Sequence, residues 1–368
     1  MNGAPRHFYV DLSLFGRKMT GVLVYSLHMA QRLEREFECR VIVPGYLADR
    51  FRNPLVCPEP LSIRGIPVLR RWWSSGMRSL RLGPDAFVYA PHMKGIFFHA
   101  NQVVTLHDMI HHYQRTRNFV QNAFTDFVLP GLLRRIRAVM TVSETSRREI
   151  AAFYQLSPAR IHVVPNGIEL SRWTPGPARP VAAPFLLTVS ANRPYKNTLE
   201  LLERHPLWPG YRLKIVSSAS RYGGLIRQRV RDLGLEARVD FLENVPESEL
   251  IQLYRDCAAV IYPSRMEGFG RPALEAMATG RPVILSDIPV HREIFSDAAV
   301  FVTPGDERSW IAAFAALEDD TRMQQHIAAG LALAQRYDWS RATDALVQHL
   351  LAIEPGLARL RRPASARP

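Results

Sequence analysis

The sequence predicts an α/β protein made of two Rossmann-like domains, each a parallel sheet flanked by helices. Three observations predict it. A chain of 368 residues exceeds what one hydrophobic core usually serves, and 47% hydrophobic content is enough for two. Short apolar β-type runs alternate with helical patterns along the chain, which calls for parallel strands joined by crossover helices. Near the middle, residues 171–183 (SRWTPGPARPVAA) break that alternation with Pro, Ala and Gly and read as an interdomain linker. The expected division is therefore 1–170, a linker, 184–338, and a terminal segment 339–368 whose tail RRPASARP is expected to be mobile.

In the first domain, FYVDL at 8–12 reads as the opening strand and CRVIVP at 39–44 as the next. Between them lies a loop with Arg17, Lys18, Thr20 and Gly21, followed by apolar residues at helical spacing. A strand, a glycine-containing loop and a helix form the opening of a nucleotide-binding fold. Gly21 stands alone, so the dinucleotide G-x-G-x-x-G pattern is absent. Further strands are expected at 86–90 and 102–107, the second ending in His107-Asp108. Open α/β sheets place ligands at the carboxyl ends of their strands, and a polar pair there fits that role. A lone histidine is also commonly a satisfied core residue, and His111 and His112 carry no positional support of this kind. A helical pattern at 119–135, a strand at 138–142, a helix capped by Ser143 and a strand at 161–165 complete this domain.

The second domain opens with FLLTVS at 185–190 and the loop ANRPYKN, which carries Arg193 and Lys196 just before a helix from Thr198. Two cations in a strand-to-helix loop suit a phosphate-bearing ligand. Strands at 211–217, 238–242 and 258–262 alternate with helices, and Glu243-Asn244-Val245 follows the second of them. The richest stretch is 261–284, IYPSRMEGFGRPALEAMATGRPVI. It reads as strand, loop, helix, strand, with Pro272 expected at the first helical position and Gly280 just past the helix end. Gly268, Phe269 and Gly270 let backbone N–H groups approach an anion, and the helix start adds partial positive charge. Glu267 and Glu275 flank this cradle in an E-x7-E spacing, Glu275 being placed in the first turn. Carboxylates beside a phosphate site fit hydrogen bonds to sugar hydroxyls, so the ligand should combine phosphate with a hydroxyl-rich part. An acidic helix start that serves stability alone is the competing reading.

The string P-S-x-x-E-G-F-G-x-P-x-L-E-A-M-A-x-G-x-P-V-I closely resembles the donor-binding segment of family-4 glycosyltransferases. The D-x-x-x…T-G-V opening, V-T-L-H-D at 104–108, V-P-N-G-I at 164–168 and R-x-x-K-N at 193–197 extend the resemblance over nearly the whole chain. It implies the GT-B fold, two Rossmann-like domains facing across a cleft, with a C-terminal helix after Asp338 crossing back to the first domain. It implies a retaining hexosyltransferase that needs no metal and no other cofactor. By this resemblance Arg193 and Lys196 clamp the donor diphosphate with the helix start at 270–272. Glu267 holds the sugar, Glu275 the ribose and Val245 the base. Gly21 lies over the donor phosphates, Thr20 and Asp108 on the acceptor side, and His107 near the sugar. The N-terminal pattern resembles bacterial mannosyltransferases of surface-polysaccharide synthesis, which makes GDP-mannose the expected donor and a lipid-linked or oligosaccharide glycan the expected acceptor. Arg271 and the pair Arg265-Met266 depart from the family's usual residues, either adjusting donor choice or facing solvent.

Charge adds a partner. Net charge is +13, with 23 Lys+Arg against 12 Asp+Glu in residues 1–175 and 24 against 22 in the remainder. The basic excess in the first half suits an anionic membrane surface or nucleic acid. Nucleic acid is the lesser alternative, resting on charge alone, and a nucleotide-sugar epimerase is the other. At 70–81, Arg70, Arg71, Arg78 and Arg81 interleave with Trp72 and Trp73. That pattern fits a membrane interface, and equally a helix that packs its tryptophans inward. No secretory signal and no run of about 18 apolar residues is seen. Cys39, Cys57 and Cys257 form no disulfide or metal spacing. A cytoplasmic enzyme peripheral to the inner membrane face is expected.

Overall fold

The computed structural model describes residues 4–57, 82–114, 119–177, 179 and 183–363. The arginine-tryptophan stretch at 70–81 lies outside them. The chain forms two compact units, residues 1–167 with 339–368, and residues 168–338.

In the first unit seven parallel strands run in the order β3-β2-β1-β4-β5-β6-β7. They are β1 His7–Asp11, β2 Cys39–Pro44, β3 Pro54–Cys57, β4 Ala86–Ala90, β5 Gln102–Thr105, β6 Ala138–Thr141 and β7 Ile161–Val163. The central strands β4, β5 and β6 are buried along their whole length, as a sheet covered on both faces requires. Strand β3 is not evident in the sequence, because PLVC begins with a proline that cannot donate to a ladder. The structure places it at the sheet edge, where that is tolerated. Strand β5 ends at Thr105, so His107 lies two residues beyond it rather than within it.

The second unit has six parallel strands in the order β10-β9-β8-β11-β12-β13. These are β8 Phe185–Val189, β9 Arg212–Val216, β10 Val239–Leu242, β11 Ala259–Tyr262, β12 Val283–Ser286 and β13 Val300–Val302. Its core gathers Leu186, Leu213, Ile215, Ile261, Ile284 and the fully buried Trp208 and Trp310. In each sheet the strand order reverses beside the first strand, between β1 and β4 and between β8 and β11. The crevice at the carboxyl ends there is where this topology accepts ligands.

The expected linker is part of the second unit where it is described. Trp173 packs edge-on against Tyr254 at 5.4 Å, and Arg179 reaches Asp256 and Glu249 at 3.0 Å each. The chain leaves the first unit at Gly167 and re-enters it at Trp339. Within the second unit Ile168 pairs with Asp338, and its N–H donates to the Tyr337 carbonyl at 2.7 Å. Within the first, Trp339 stacks on His28 at 4.3 Å and lies so close to Gly167 that a Cβ there would sit 2.5 Å from its ring. The helix Trp339–Ile353 then runs in the first unit, and the first two residues of the tail expected to be mobile are held there: Arg361 pairs with Glu36, and the Arg362 N–H donates to the Glu36 carbonyl at 2.9 Å. Among the described residues no helix is long and apolar enough to cross a membrane.

Candidate active site

In the second unit, the loops after β8 and β11 flank the topological switch point, and they are bonded to each other. The Arg265 N–H donates to the Tyr195 carbonyl at 2.7 Å. Between them Lys196 Nζ donates to Glu267 Oε1 at 2.6 Å and to the Tyr262 hydroxyl, with side chains only 10% and 9% exposed for the ion pair. The ammonium also lies 4.7 Å from the Tyr262 ring centroid and 5.3 Å from that of Tyr195. Burial drives the Glu267 carboxyl upward, and the Lys196 charge and hydrogen bond outweigh it, so its pKa is lowered and it is ionised at neutral pH. Burial, followed by the Glu267 charge, pushes Tyr262 well above its ordinary value and keeps it a neutral phenol. The ammonium has three N–H groups, so one remains for an anion. Arg193, placed on the same loop, is exposed and pairs with nothing among the described residues.

The glycine turn follows directly. Gly268, Phe269 and Gly270 are buried, yet their N–H groups donate to no acceptor among the described residues. Three unsatisfied donors at the start of the helix Arg271–Ala278 form an anion cradle. Gly270 has φ +102, and a Cβ on it would lie 3.0 Å from the Phe295 ring, so both backbone and space demand glycine. The helix begins at Arg271, which moves Pro272 to the second position rather than the first. It also places Glu275 in the second turn, not the first. The helix stops as expected: Gly280 is left-handed at φ +76 and donates to Met277, while Arg281 donates to Ala276, closing a Schellman motif.

Glu275 is buried. Its oxygens accept from Arg271 at 2.9 Å and from the Tyr254 hydroxyl at 3.0 Å. Burial raises its pKa, with Arg271 opposing. Arg271 is thus no solvent-facing substitution but the partner of the very carboxylate expected to hold the ribose. Arg265 is exposed and lies 3.6 Å from Glu200. Val245 sits in the loop after β10, next to Asn244 in the left-handed region at φ +55.

In the first unit a cavity of about 270 Å³ opens at the carboxyl ends of β1, β4 and β5. Leu14, Phe15, His92, Lys94, His107 and Asp108 are among the residues lining it. His107 Nε2 lies 3.4 Å from the Pro91 carbonyl, which can only accept, so Nε2 carries the proton. Its ring meets Tyr25 edge-on at 4.8 Å. Burial, with His92 adding to it, lowers its pKa to about 4, so the ring is neutral at physiological pH. Asp108 Oδ1 accepts from the Ile110 N–H at 2.9 Å and starts the short helix Ile110–Tyr113. That turn brings His111 to the same cavity, although no local spacing singles this residue out. Burial lowers its pKa to about 4 as well. Thr20 caps the helix Gly21–Glu36 by accepting from the Leu23 N–H at 3.2 Å, and Gly21 is the first residue of that helix. Neither lines the cavity, whereas Val22 does.

Two Rossmann-like units, each a parallel sheet with its switch point at the carboxyl ends, make up the GT-B class of fold. Residues 19–172 match the family described as Glycosyltransferase Family 4, and residues 173–330 the family described as glycosyl transferases group 1. The chain belongs to this glycosyltransferase family. The O-antigen chain mannosyltransferase RfbU of Salmonella typhimurium is similar to it, with 36% identity over 323 residues, 84% of this chain and 90% of the relative. The O-antigen chain mannosyltransferase B of Escherichia coli is 30% identical over 222 residues, 56% of this chain and 58% of the relative. The crystal structure of Anabaena Alr3699/HepE in complex with UDP-glucose has the same fold, with a TM-score of 0.74 at 19% identity over 94% of this chain and 99% of that one.

Proposed function

We propose that this glycosyltransferase moves mannose from GDP-mannose, with retention of anomeric configuration, onto a lipid-linked glycan during bacterial surface-polysaccharide synthesis. The two O-antigen mannosyltransferases among its relatives support that sugar and that setting. The observation that carries the donor site is the Lys196–Glu267 pair set beside the unsatisfied N–H groups of Gly268, Phe269 and Gly270. In this reading the donor belongs to residues 184–338 and the acceptor to the N-terminal domain. The free N–H of Lys196, the Arg193 guanidinium, the cradle and the helix start stabilise the leaving diphosphate, and no metal is required. Glu267, held ionised by Lys196, accepts from sugar hydroxyls through its remaining lone pairs. Glu275, fixed by Arg271 and Tyr254, accepts from the ribose, and Val245 borders the base. Neutral His107 hydrogen-bonds the sugar, Gly21 lies over the donor phosphates, and Asp108 and Thr20 are on the acceptor side. The enzyme works at the cytoplasmic face of the membrane, where a lipid-linked acceptor is presented.

The test is a thermal-shift screen of UDP-, GDP- and ADP-sugars, since a ligand that binds the folded state raises the melting temperature by mass action. GDP-mannose should give the largest shift, and NMR of the transfer product should show an α-linkage. A response to UDP-sugars alone would overturn the donor assignment. A β-linked product would overturn retention.

A further inference from the structure

The cavity of the first unit has an aromatic border that the proposed function does not use. His111, which lines the cavity, places its Nε2 3.4 Å from the Tyr154 hydroxyl. From Tyr154 the rings run outward. Phe153 meets Tyr154 edge-on at 4.9 Å, His112 lies against Phe153 at 3.9 Å, and Tyr113 meets His112 edge-on at 5.5 Å. Tyr154 is buried, while Phe153 is 43% exposed and Tyr113 50%. The rings come from two segments, the short helix Ile110–Tyr113 and the last turn of the helix Glu144–Tyr154. Each exposed ring is braced by another ring, so little freedom is left to lose when a ligand covers it.

Carboxylates accompany the rings. Glu149 stands one helical turn before Phe153, on the same side of the helix, and its side chain accepts no hydrogen bond among the described residues. Asp126, in the π-helical turn Phe124–Val128, is close enough to Tyr154 to add to burial in raising the pKa of that phenol. Arg148, the cation beside Glu149 in sequence, folds back toward the helix start, where it reaches the Glu144 carbonyl and the Thr145 hydroxyl at 3.4 Å each.

We propose that Phe153 and Tyr113 form an outer subsite that stacks on the apolar C–H face of a pyranose in the acceptor, at least one sugar away from the point of transfer. The inference rests on the reading of the acceptor as a glycan. A cavity of about 270 Å³ falls below the roughly 300–1,000 Å³ that encloses a drug-sized molecule, so the further sugars of a glycan must leave it over its border. His111 and Tyr154 make the ring cluster continuous with that border. A pyranose has a face of C–H groups and a rim of hydroxyls. The C–H groups suit the negative face of an aromatic ring, and the hydroxyls suit carboxylate acceptors such as Glu149. An anionic lipid surface would be repelled by the same carboxylates. A second copy of this chain would need roughly 1,200–2,000 Å² of buried surface in total, and two half-exposed rings offer on the order of 100 Å² each.

The experiment is saturation-transfer difference NMR of the full chain with methyl α-mannoside and with a linear mannotriose, irradiating the aromatic protons of the protein. Wild type should pass saturation to the C–H protons of one terminal sugar of mannotriose. The double variant Tyr113→Ser, Phe153→Ser should lose that transfer and bind mannotriose about tenfold more weakly, with the binding of methyl α-mannoside unchanged. The variant Tyr113→Phe, Phe153→Tyr keeps both rings and should behave as wild type, which separates loss of the rings from loss of the fold. Mannotriose binding by the serine variant equal to wild type overturns the proposal. So does a wild type whose rings pass no saturation to mannotriose, or a serine variant whose defect is instead lost binding to phosphatidylglycerol vesicles or a dissociated dimer. A wild type that contacts mannotriose through these rings yet responds to no nucleotide sugar would overturn the proposed function and leave the subsite standing. A response to GDP-mannose without that contact would do the reverse.

Discussion

Replacing Lys196 by methionine keeps the length of the side chain and removes its charge. The structure makes the consequence calculable, because the ammonium is the principal force holding Glu267 ionised in a place where burial disfavours it. Removing one partner of a buried pair costs about 3–5 kcal/mol, and the slight exposure of both side chains argues for the lower end. For a unit of 150–250 residues, such as 168–338, each kcal/mol moves the melting temperature by about 2–4 °C, so a fall of roughly 6–12 °C is expected near neutral pH. The pH dependence carries the sign. In wild type the folded pKa of Glu267 lies below its ordinary value, so its contribution is present above about 4.5 and is lost as pH falls through the folded pKa. In the variant both Lys196 contributions are gone, and burial, the largest influence, is opposed only by His291 and the Ser264 hydroxyl, so the folded pKa is raised. The variant is then least impaired at low pH, and the gap to wild type opens as pH rises from about 4.5 through that raised pKa. Differential scanning calorimetry of both proteins between pH 4.5 and 8 measures the gap directly. A gap that is zero at pH 7, or that stays constant with pH, would refute the claim that Lys196 holds a buried carboxylate ionised.

Other outcomes follow from the same geometry. Arg193→Ala and Lys196→Ala should each lower kcat/KM on the order of a hundredfold, about 2–4 kcal/mol of transition-state stabilisation, and near-normal turnover in both would remove the diphosphate assignment. Calorimetry with nucleoside diphosphate alone should show weakened binding for Glu275→Gln and near-normal binding for Glu267→Gln, since one is assigned to the ribose and the other to the sugar. Equal losses would show the roles are wrong. Gly270→Ala should destabilise the protein by roughly 1–3 kcal/mol through its positive φ and the Phe295 contact, read as a lower melting temperature. His107 is neutral in the folded state with a pKa near 4, so its contribution is complete above about 6.5 and shrinks as pH falls toward 4. His107→Gln should therefore reduce the acid sensitivity of the melting temperature between those values, by at most about 3 kcal/mol, less whatever the ring's partial exposure screens.

Much of the fold was legible because buried parallel strands write themselves as runs such as CRVIVP and FLLTV, with punctuation between them. The cap at Ser143 was legible for a local reason: its side chain accepts from the Ser146 N–H, three residues on. What lay outside local spacing was not. Strand β3 begins with proline and, among the described residues, pairs with β2 alone. The π-helical winding of Phe124–Val128 leaves no periodic mark in five residues. Glu275 was placed a turn too early because Gly270, not Arg271, caps the helix. In the candidate site each charged residue was visible singly, yet Lys196 and Glu267 are 71 positions apart, and no spacing rule joins them. The Arg271–Glu275 pair, at i and i+4, was within reach of the helix rule and was missed because Arg271 was weighed as a departure rather than as a partner. His111 reaches its cavity through a short turn set by Asp108, a detail that belongs to backbone geometry.

The bond between Ile168 and Asp338 fixes an order of completion. The six-stranded unit begins and ends at adjacent residues, so once residue 338 has left the ribosome that unit holds everything its own fold needs. The seven-stranded unit is different. Its earlier part, residues 1–167, emerges first but must wait for 339–362, where Trp339 covers Gly167, Arg361 bridges to Phe37 and the Arg361 guanidinium pairs with buried Glu36. Nascent chains usually complete their domains from the amino end onward. Here the second unit can mature while the first still lacks its closing helix, and residues 168–338, expressed alone, should make a folded protein where residues 1–167 alone should not.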